Sequence, residues 1–151
     1  MNEISPSEAL KKLSALCAKA EHSTGEMRDK MRRWGLSDKD QAAVIAKLVE
    51  HQYVDDERFA RAFVRDKLLY NHWGERKIAQ ALWQKGIDGD IARAALSEIG
   101  REEYSEQLRP LLDNKARSIK ADSEYERRQK LIRFALGRGF GMDEIISCLD
   151  D

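Results

Sequence analysis

The chain has 151 residues, 42% of them hydrophobic and 36% charged, and its 27 Lys and Arg balance 27 Asp and Glu to a formal net charge of zero. That length allows one domain or a short run of repeats with a real core, while the zero balance argues against a general polyanion sponge. Two cysteines without C-x-x-C spacing indicate neither a disulfide framework nor a zinc knuckle.

The opening MNEISPSEAL lacks the charged-then-apolar pattern of a signal peptide, and the longest apolar run, Ala42 to Ala46, is too short to span a bilayer. The expectation is a soluble, cytoplasmic protein. Helix-favouring residues dominate, and no stretch alternates as a strand would. Ser5-Pro6-Ser7-Glu8 predicts the first helix start: an N-cap serine, a proline in the first turn and a capping-box glutamate. Ala9, Leu10, Leu13, Leu16, Cys17 and Ala20 form its apolar stripe. A second helix carries Met27 and Met31 inward and ends at Gly35, with Leu36 after the glycine and Ser37 as the next cap.

The stretch YVDDERFA, residues 53 to 60, opens the next segment. With Asp55 as N-cap, its carboxylate accepts from a free backbone N–H, Asp56 and Glu57 face the positive end of the helix dipole, and Val54 and Phe59 form a hydrophobic staple. The acidic triplet therefore starts a helix. A metal site enlisting His51 is disfavoured because consecutive carboxylates on a helix point in different directions. Further along, Phe59, Ala60, Phe63 and Tyr70 fall on one side, while Arg58, Arg61 and Arg65 cluster on another.

The plan of the first glycine then returns. IAQALWQKGIDGD (79 to 91) and IRFALGRGFGMDE (132 to 144) repeat RDKMRRWGLSDKD (28 to 40), ending helices at Gly86 and Gly139 with Ile87 and Phe140 behind them. Ile78 and Leu82, then Leu131 and Ala135, take the inward positions of Met27 and Met31. Asp88, and then Gly141 or Met142, lead into the following helices. The expected fold class is all-α: tandem three-helix repeats forming an elongated, curved array, with units at 1–54, 55–102 and 103–151. In the third unit, Pro110 leaves two readings open, a kinked helix or a new first turn.

Charge is balanced globally but not locally. From Arg58 to Ile87 seven Lys/Arg face two Asp/Glu, and from Asp113 to Phe140 eight face four. Shifting by the repeat spacing superposes Lys77 on Lys130 and Lys85 on Arg138, so the same two positions are basic in the second and third units. In the first unit they are Glu26 and Trp34. The candidate partner-binding residues are therefore Arg58, Arg61, Arg65, Lys77, Lys85, Lys130 and Arg138, set against the plainer reading of a solvated face. His22, His51 and His72 are too scattered for a ligand set, and Trp34, Trp73 and Trp83 read as core or packing residues. Neither a nucleophilic triad pattern nor a Gly-rich phosphate loop is present, so no catalytic residue, metal or cofactor is expected.

YVDDERFARAFVRDKL, GERKIAQALWQKGI and RRQKLIRFALGRGF, in this order, resemble the motifs of the RecX regulatory proteins, and with the first unit the resemblance spans nearly the whole chain. Gly137 stands where that family commonly has an arginine, and Trp34 where it commonly has a basic residue before the glycine. The resemblance implies an all-helical protein of tandem three-helix units that binds the RecA–DNA filament and curbs its ATPase, strand exchange and coprotease activities, with weak direct contact to DNA; nothing in the sequence demands a dimer, so a monomer is expected. An autonomous helical DNA-binding regulator is the alternative, disfavoured by the zero net charge.

Overall fold

The computed structural model describes residues 4–150. Among them are nine α-helices and no strand: α1 (Pro6–Lys19), α2 (Thr24–Arg33), α3 (Asp38–Glu50), α4 (Asp56–Leu69), α5 (Glu75–Gln84), α6 (Gly89–Ser97), α7 (Arg101–Ser118), α8 (Glu124–Gly137) and α9 (Met142–Leu149). None of the described helices is long and apolar enough to cross a membrane.

The starts follow the capping chemistry. The Ser5 hydroxyl accepts from Glu8 N at 3.2 Å, and Ser37 from Asp40 N at 3.2 Å. Asp55 Oδ1 accepts from both Glu57 N (3.0 Å) and Arg58 N (3.1 Å), while Val54 and Phe59 are buried across that cap. Each such cap contributes about 1 kcal/mol. Gly141 is the N-cap of α9, and Glu144 reaches back to accept from its N–H at 2.9 Å.

The three glycine ends share one geometry. Gly35, Gly86 and Gly139 have φ of 84°, 78° and 95°, the left-handed region where a Cβ is penalised. Behind them Leu36 N donates to Met31 O, Ile87 N to Leu82 O and Phe140 N to Ala135 O, at 3.1 to 3.2 Å. The glycine N–H groups donate to Arg32, Trp83 and Leu136. These two bonds together are the Schellman closure, with the hydrophobe after the glycine turned into the core. Leu36, Ile87 and Phe140 are all buried, as are the six inward positions Met27, Met31, Ile78, Leu82, Leu131 and Ala135.

The chain forms two compact units, one of residues up to Ala60 with Leu82–Ala92, the other of Arg61–Ala81 with Arg93 onward. In the first, α3 packs on both α1 and α2 around Leu13, Met27, Met31, Val44 and Leu48. In the second, α7, α8 and α9 pack on one another around Leu108, Leu112, Leu131, Phe140 and Ile145. Burying each of these large side chains is worth about 1.5–3 kcal/mol.

One point the sequence left open is decided, and three details depart from its reading. Pro110 lies inside α7, which runs as one helix through it. The missing N–H costs one hydrogen bond, and buried Leu108 and Leu112 on either side hold the helix in place. Ala20 is exposed, because α1 has already ended at Lys19. Tyr70 follows the last residue of α4 and is 78% exposed; Ala60, Val64 and Leu68, at four-residue spacing, form the buried stripe instead. Trp83 is 76% exposed rather than packed, since Ile78 and Leu82 already fill the inward side of α5.

Candidate functional site

The acidic triplet is consumed by structure. Asp55 caps α4, and Asp56 grips the start of α2: its Oδ1 accepts from Thr24 N at 2.8 Å and its Oδ2 from Thr24 Oγ1 at 2.7 Å. Two helix N-termini, each short of backbone acceptors, are thus served by adjacent carboxylates. Among the described residues, no group of three or more His, Cys, Asp or Glu is arranged to hold a metal ion. Cys17 is packed beside Met27 Sδ, and burial, then the Glu21 charge, push its thiol pKa up, away from a reactive thiolate.

The basic candidates divide by what they touch. Four are paired with carboxylates. Arg58 Nε donates to Glu21 at 2.6 Å, a hydrogen bond that raises the arginine pKa, and its other end reaches Gln52 O. Arg65 pairs with Glu103 at 2.8 Å, and Lys85 with Glu26 at 3.3 Å. Lys130 lies 3.2 Å from Glu126 and 2.6 Å from Lys120 O. A backbone hydrogen bond from Asp122, then that of Lys130, hold Glu126 below the usual carboxylate range. Such half-exposed pairs are screened by solvent and add little stability, but they neutralise the charge a partner would meet.

Lys77 and Arg138 behave differently, and the structure adds two residues to them. Lys77 Nζ sits 4.8 Å from the centre of the Trp73 ring, and Lys67 Nζ, from α4, sits 5.1 Å from the same ring. Arg138, at the end of α8, lies 5.5 Å from the Phe134 ring, and Lys115, from α7, lies 5.2 Å from it. The two groups adjoin. An Arg138 guanidinium N–H donates to Asn71 O at 3.1 Å, two residues before Trp73, while Arg76 N donates to Gly139 O at 3.0 Å beside Lys77. Among the described residues none of these four cations is ion-paired with a carboxylate. Each cation–π contact is worth about 0.5–1 kcal/mol at an exposed site, enough to hold a flexible side chain in place.

Arg61 is exposed and makes no ion pair among the described residues. Within the second compact unit, then, the structure gathers Lys77 and Arg138 into one cluster; it ties Arg65 and Lys130 to acids and leaves Arg61 to solvent. In the first, Arg58 and Lys85 are both consumed by ion pairs. Lys67 and Lys115 escaped the sequence reading, which ranked cations by helix face and repeat position. The available signal was an aromatic residue of the same unit, Trp73 for Lys67 and Phe134 for Lys115, but only the fold shows that they meet.

A charged cleft of about 310 Å³ lies nearby in the same unit, lined by Glu75, Arg76, Arg101 and Asp143 with Glu144. Burial, against the pull of its bond to Gly141 N, raises the pKa of Glu144.

Comparison with known proteins supplies the relatives. The model of the second three-helix domain of RecX matches residues 55–96, and that of the third three-helix domain matches residues 102–149. The regulatory protein RecX of Prosthecochloris aestuarii is 33% identical over 151 residues, covering 100% of this chain and 97% of that protein. That of Vibrio parahaemolyticus is 32% identical over 130 residues, 86% of this chain and 82% of the relative. The Clostridium botulinum (strain Eklund 17B) protein is 34% identical over 122 residues, and there the match spans only 57% of the relative's length. The crystal structure of RecX from Lactobacillus salivarius superposes with a TM-score of 0.89 at 23% identity, covering 96% of this chain and 94% of that one, which establishes the fold.

Proposed function

The chain belongs to the RecX family of regulatory proteins, and from that premise we propose that it binds the RecA–DNA filament and restrains RecA. It acts by occupancy rather than chemistry, as a cytoplasmic protein without catalytic residues or cofactor, built as three-helix units at 1–54, 55–102 and 103–151. The observation that carries the reading is the cluster of Lys67, Lys77, Lys115 and Arg138, positive charge held on aromatic rings and, among the described residues, without carboxylate partners. Arg61 stays exposed, whereas Arg58, Arg65, Lys85 and Lys130 serve first as structural ties. A cluster of this kind steers an anionic partner and sets its register.

DNA-dependent ATP hydrolysis by RecA, titrated with the purified protein, tests this directly. Inhibition is expected from the native chain. The double reversal Lys77→Glu with Arg138→Glu should raise the concentration needed at least tenfold while circular dichroism stays unchanged. The control Lys11→Glu with Lys12→Glu should shift it less than twofold. Absence of inhibition by the native chain would overturn the reading; equal losses in both variants would show that only overall charge matters.

A further inference from the structure

We propose that the cleft where α5, α7 and α9 begin, within the second compact unit, binds a free basic amino acid: Arg76 and Arg101 take its carboxylate, and Glu75, Asp143 and Glu144 take its cationic groups. The site uses none of Lys67, Lys77, Lys115 and Arg138, so it does not depend on filament binding.

The first argument is a carboxylate oxygen left over. Glu144 gives Oε1 to the N–H of Gly141 at 2.9 Å, which fixes the side chain at the start of α9. Its Oε2 is buried, yet among the described residues nothing donates to it. A buried acceptor without a donor carries a desolvation penalty, and the cleft gives a ligand's ammonium or guanidinium room to reach it. Burial, and to a lesser degree the charge of Glu75, raise the pKa of Glu144; a cation beside Oε2 offsets both.

The second argument is a pair of arginines at the wrong end of their helices. Arg76 lies in the first turn of α5 and Arg101 opens α7, where the positive end of the helix dipole disfavours a cation. Both line the cleft, and both are near enough to pull against the raised pKa of Glu144. Among the described residues neither is ion-paired, although three carboxylates share the cleft with them. Gly100 caps α7 without a side-chain bond, so that helix start is bare as well. A carboxylate between the two guanidinia answers the dipole, the unpaired charge and the bare helix start together. Structure alone explains Glu75 and Asp143, which suit the first turns they occupy, and Oε1 of Glu144, which completes a cap. It leaves Oε2 and the two arginines unexplained.

The third argument selects the ligand by charge. Three carboxylates against two guanidinia leave the lining with one excess negative charge. A simple anion would be repelled by that excess, and a simple cation would leave the arginines bare. Among the described residues no acidic group is arranged to hold a metal ion, so a divalent cation is not the match either. One carboxylate with two cationic centres satisfies both signs, and that is the charge pattern of a free amino acid with an arginine-type or lysine-type side chain. At about 310 Å³ the cleft is at the small end of ligand sites, which suits a single amino acid.

The test is isothermal titration calorimetry of the full chain with L-arginine and with L-lysine, the melting temperature being followed alongside. At least one should bind with a Kd below about 1 mM and raise the melting temperature as its concentration increases. Agmatine, which lacks the carboxylate, N-acetyl-arginine, which lacks the free ammonium, and L-glutamate should each bind about tenfold more weakly or worse. Glu144→Gln keeps an oxygen for the Gly141 N–H but loses the charge. Arg101→Gln removes a cation from a helix start that disfavours it, so its free chain should melt no lower than the native one. Both variants should lose about tenfold in affinity, whereas Lys11→Gln should bind as the native chain does. No heat with either amino acid, or agmatine binding as tightly as arginine, would overturn the proposal. So would an equal rise in melting temperature in Arg101→Gln, the mark of a general cosolvent effect. RecA takes no part in these measurements, so their failure leaves the proposed function standing.

Discussion

Two junctions in this molecule use the same parts and opposite chemistry. In one, the N-terminal end of α2 meets the glycine end of α5; in the other, the N-terminal end of α5 meets the glycine end of α8. At the first, Ser23 Oγ donates to Lys85 O at 3.0 Å and Glu26 pairs with Lys85 at 3.3 Å. At the second, backbone groups replace these side chains: Gly74 N donates to Arg138 O at 2.8 Å and Arg76 N to Gly139 O at 3.0 Å. In both, a helix start, rich in free N–H groups, faces carbonyls at a helix end, so the partial charges of the two ends attract.

The repeat aligns Glu26 with Lys77 and Lys85 with Arg138. An opposite-charge pair in the first junction thus becomes a like-charge pair in the second. Two cations cannot neutralise each other, so the second junction is closed by backbone bonds, and its cations turn to Phe134 and Trp73. The difference teaches how one repeated scaffold yields a structural tie in one place and a charged surface in another. It needs only a change of sign at one position.

The comparison can be broken most violently at its glycines. A Cβ on Gly74 would collide with Phe140 N and lie only 2.5 and 2.6 Å from Gly139 C and O, all of them backbone atoms. Gly74→Ala should therefore destabilise the second compact unit by about 3 kcal/mol, the upper range of overpacking costs, because backbone yields less than a side chain. Gly25→Ala meets Lys85 O in the same way and should unsettle the first junction instead. Urea denaturation of each variant, with hydrogen exchange to locate the loss, checks both. A cost below 1 kcal/mol at Gly74 would mean that the helix start can slide away from the glycine end.

Asp56 is the next lever, and it belongs to the first junction alone. Removing its carboxylate strips both the N–H and the hydroxyl of Thr24 of their acceptor. Asp56→Ala should cost about 2 kcal/mol, in the range for hydrogen bonds to a charged group. Asp55→Ala, which loses only the cap of its own helix, should cost about 1 kcal/mol. Thermal unfolding in the presence and absence of divalent metal checks the order. Equal losses, or a metal-dependent gain in melting temperature for the native chain, would contradict the structural reading of the acidic triplet.

These contrasts show what could be read in the chain before its fold. Gly35, Gly86 and Gly139 were legible because a left-handed cap with a buried hydrophobe behind it is a local motif, and the cap of Asp55 is likewise set within four residues. Met27, Leu82 and Ala135 were legible by helical period. The second role of Asp56 was not, because Thr24 lies 32 residues away, and the Glu26–Lys85 pair spans 59. Likewise the helix face that grouped Arg58, Arg61 and Arg65 held no information on which acid each would find. Only packing separated the paired cations from the unpaired.

Smaller effects separate the two glycine ends themselves. Gly86 and Gly139 both carry positive φ, and alanine at either should cost about 1 kcal/mol for that alone. At Gly139 the new methyl would also strike the Cβ of Lys77, and it would lie 2.6 Å from its backbone N, whereas at Gly86 the nearest atom is Gly25 Cα at 3.3 Å. Gly139→Ala should therefore be the worse of the two by at least a further 1 kcal/mol. A reversed order in melting temperature would show that the second junction is the looser one.

The smallest expected change in stability is the most informative about function. Lys77→Glu places at the second junction the carboxylate that Glu26 supplies at the first, opposite Arg138 where the first has Lys85. A half-exposed pair of that kind adds at most about 0.5 kcal/mol, which roughly offsets the lost contact of Lys77 with the Trp73 ring, so the melting temperature should change little at low salt. The surface, however, loses one cation and has a second neutralised, so the proposed filament inhibition should weaken several-fold. A melting temperature that falls by many degrees would mean that the aliphatic stem of Lys77, lying on Trp73 and Gly139, matters more than its charge. Unchanged stability with unchanged binding would instead place the partner contact elsewhere, with exposed Arg61 the first residue to reverse. Weakened binding at undiminished stability is the outcome in which the sign of one residue decides whether a junction closes on itself or reaches outward.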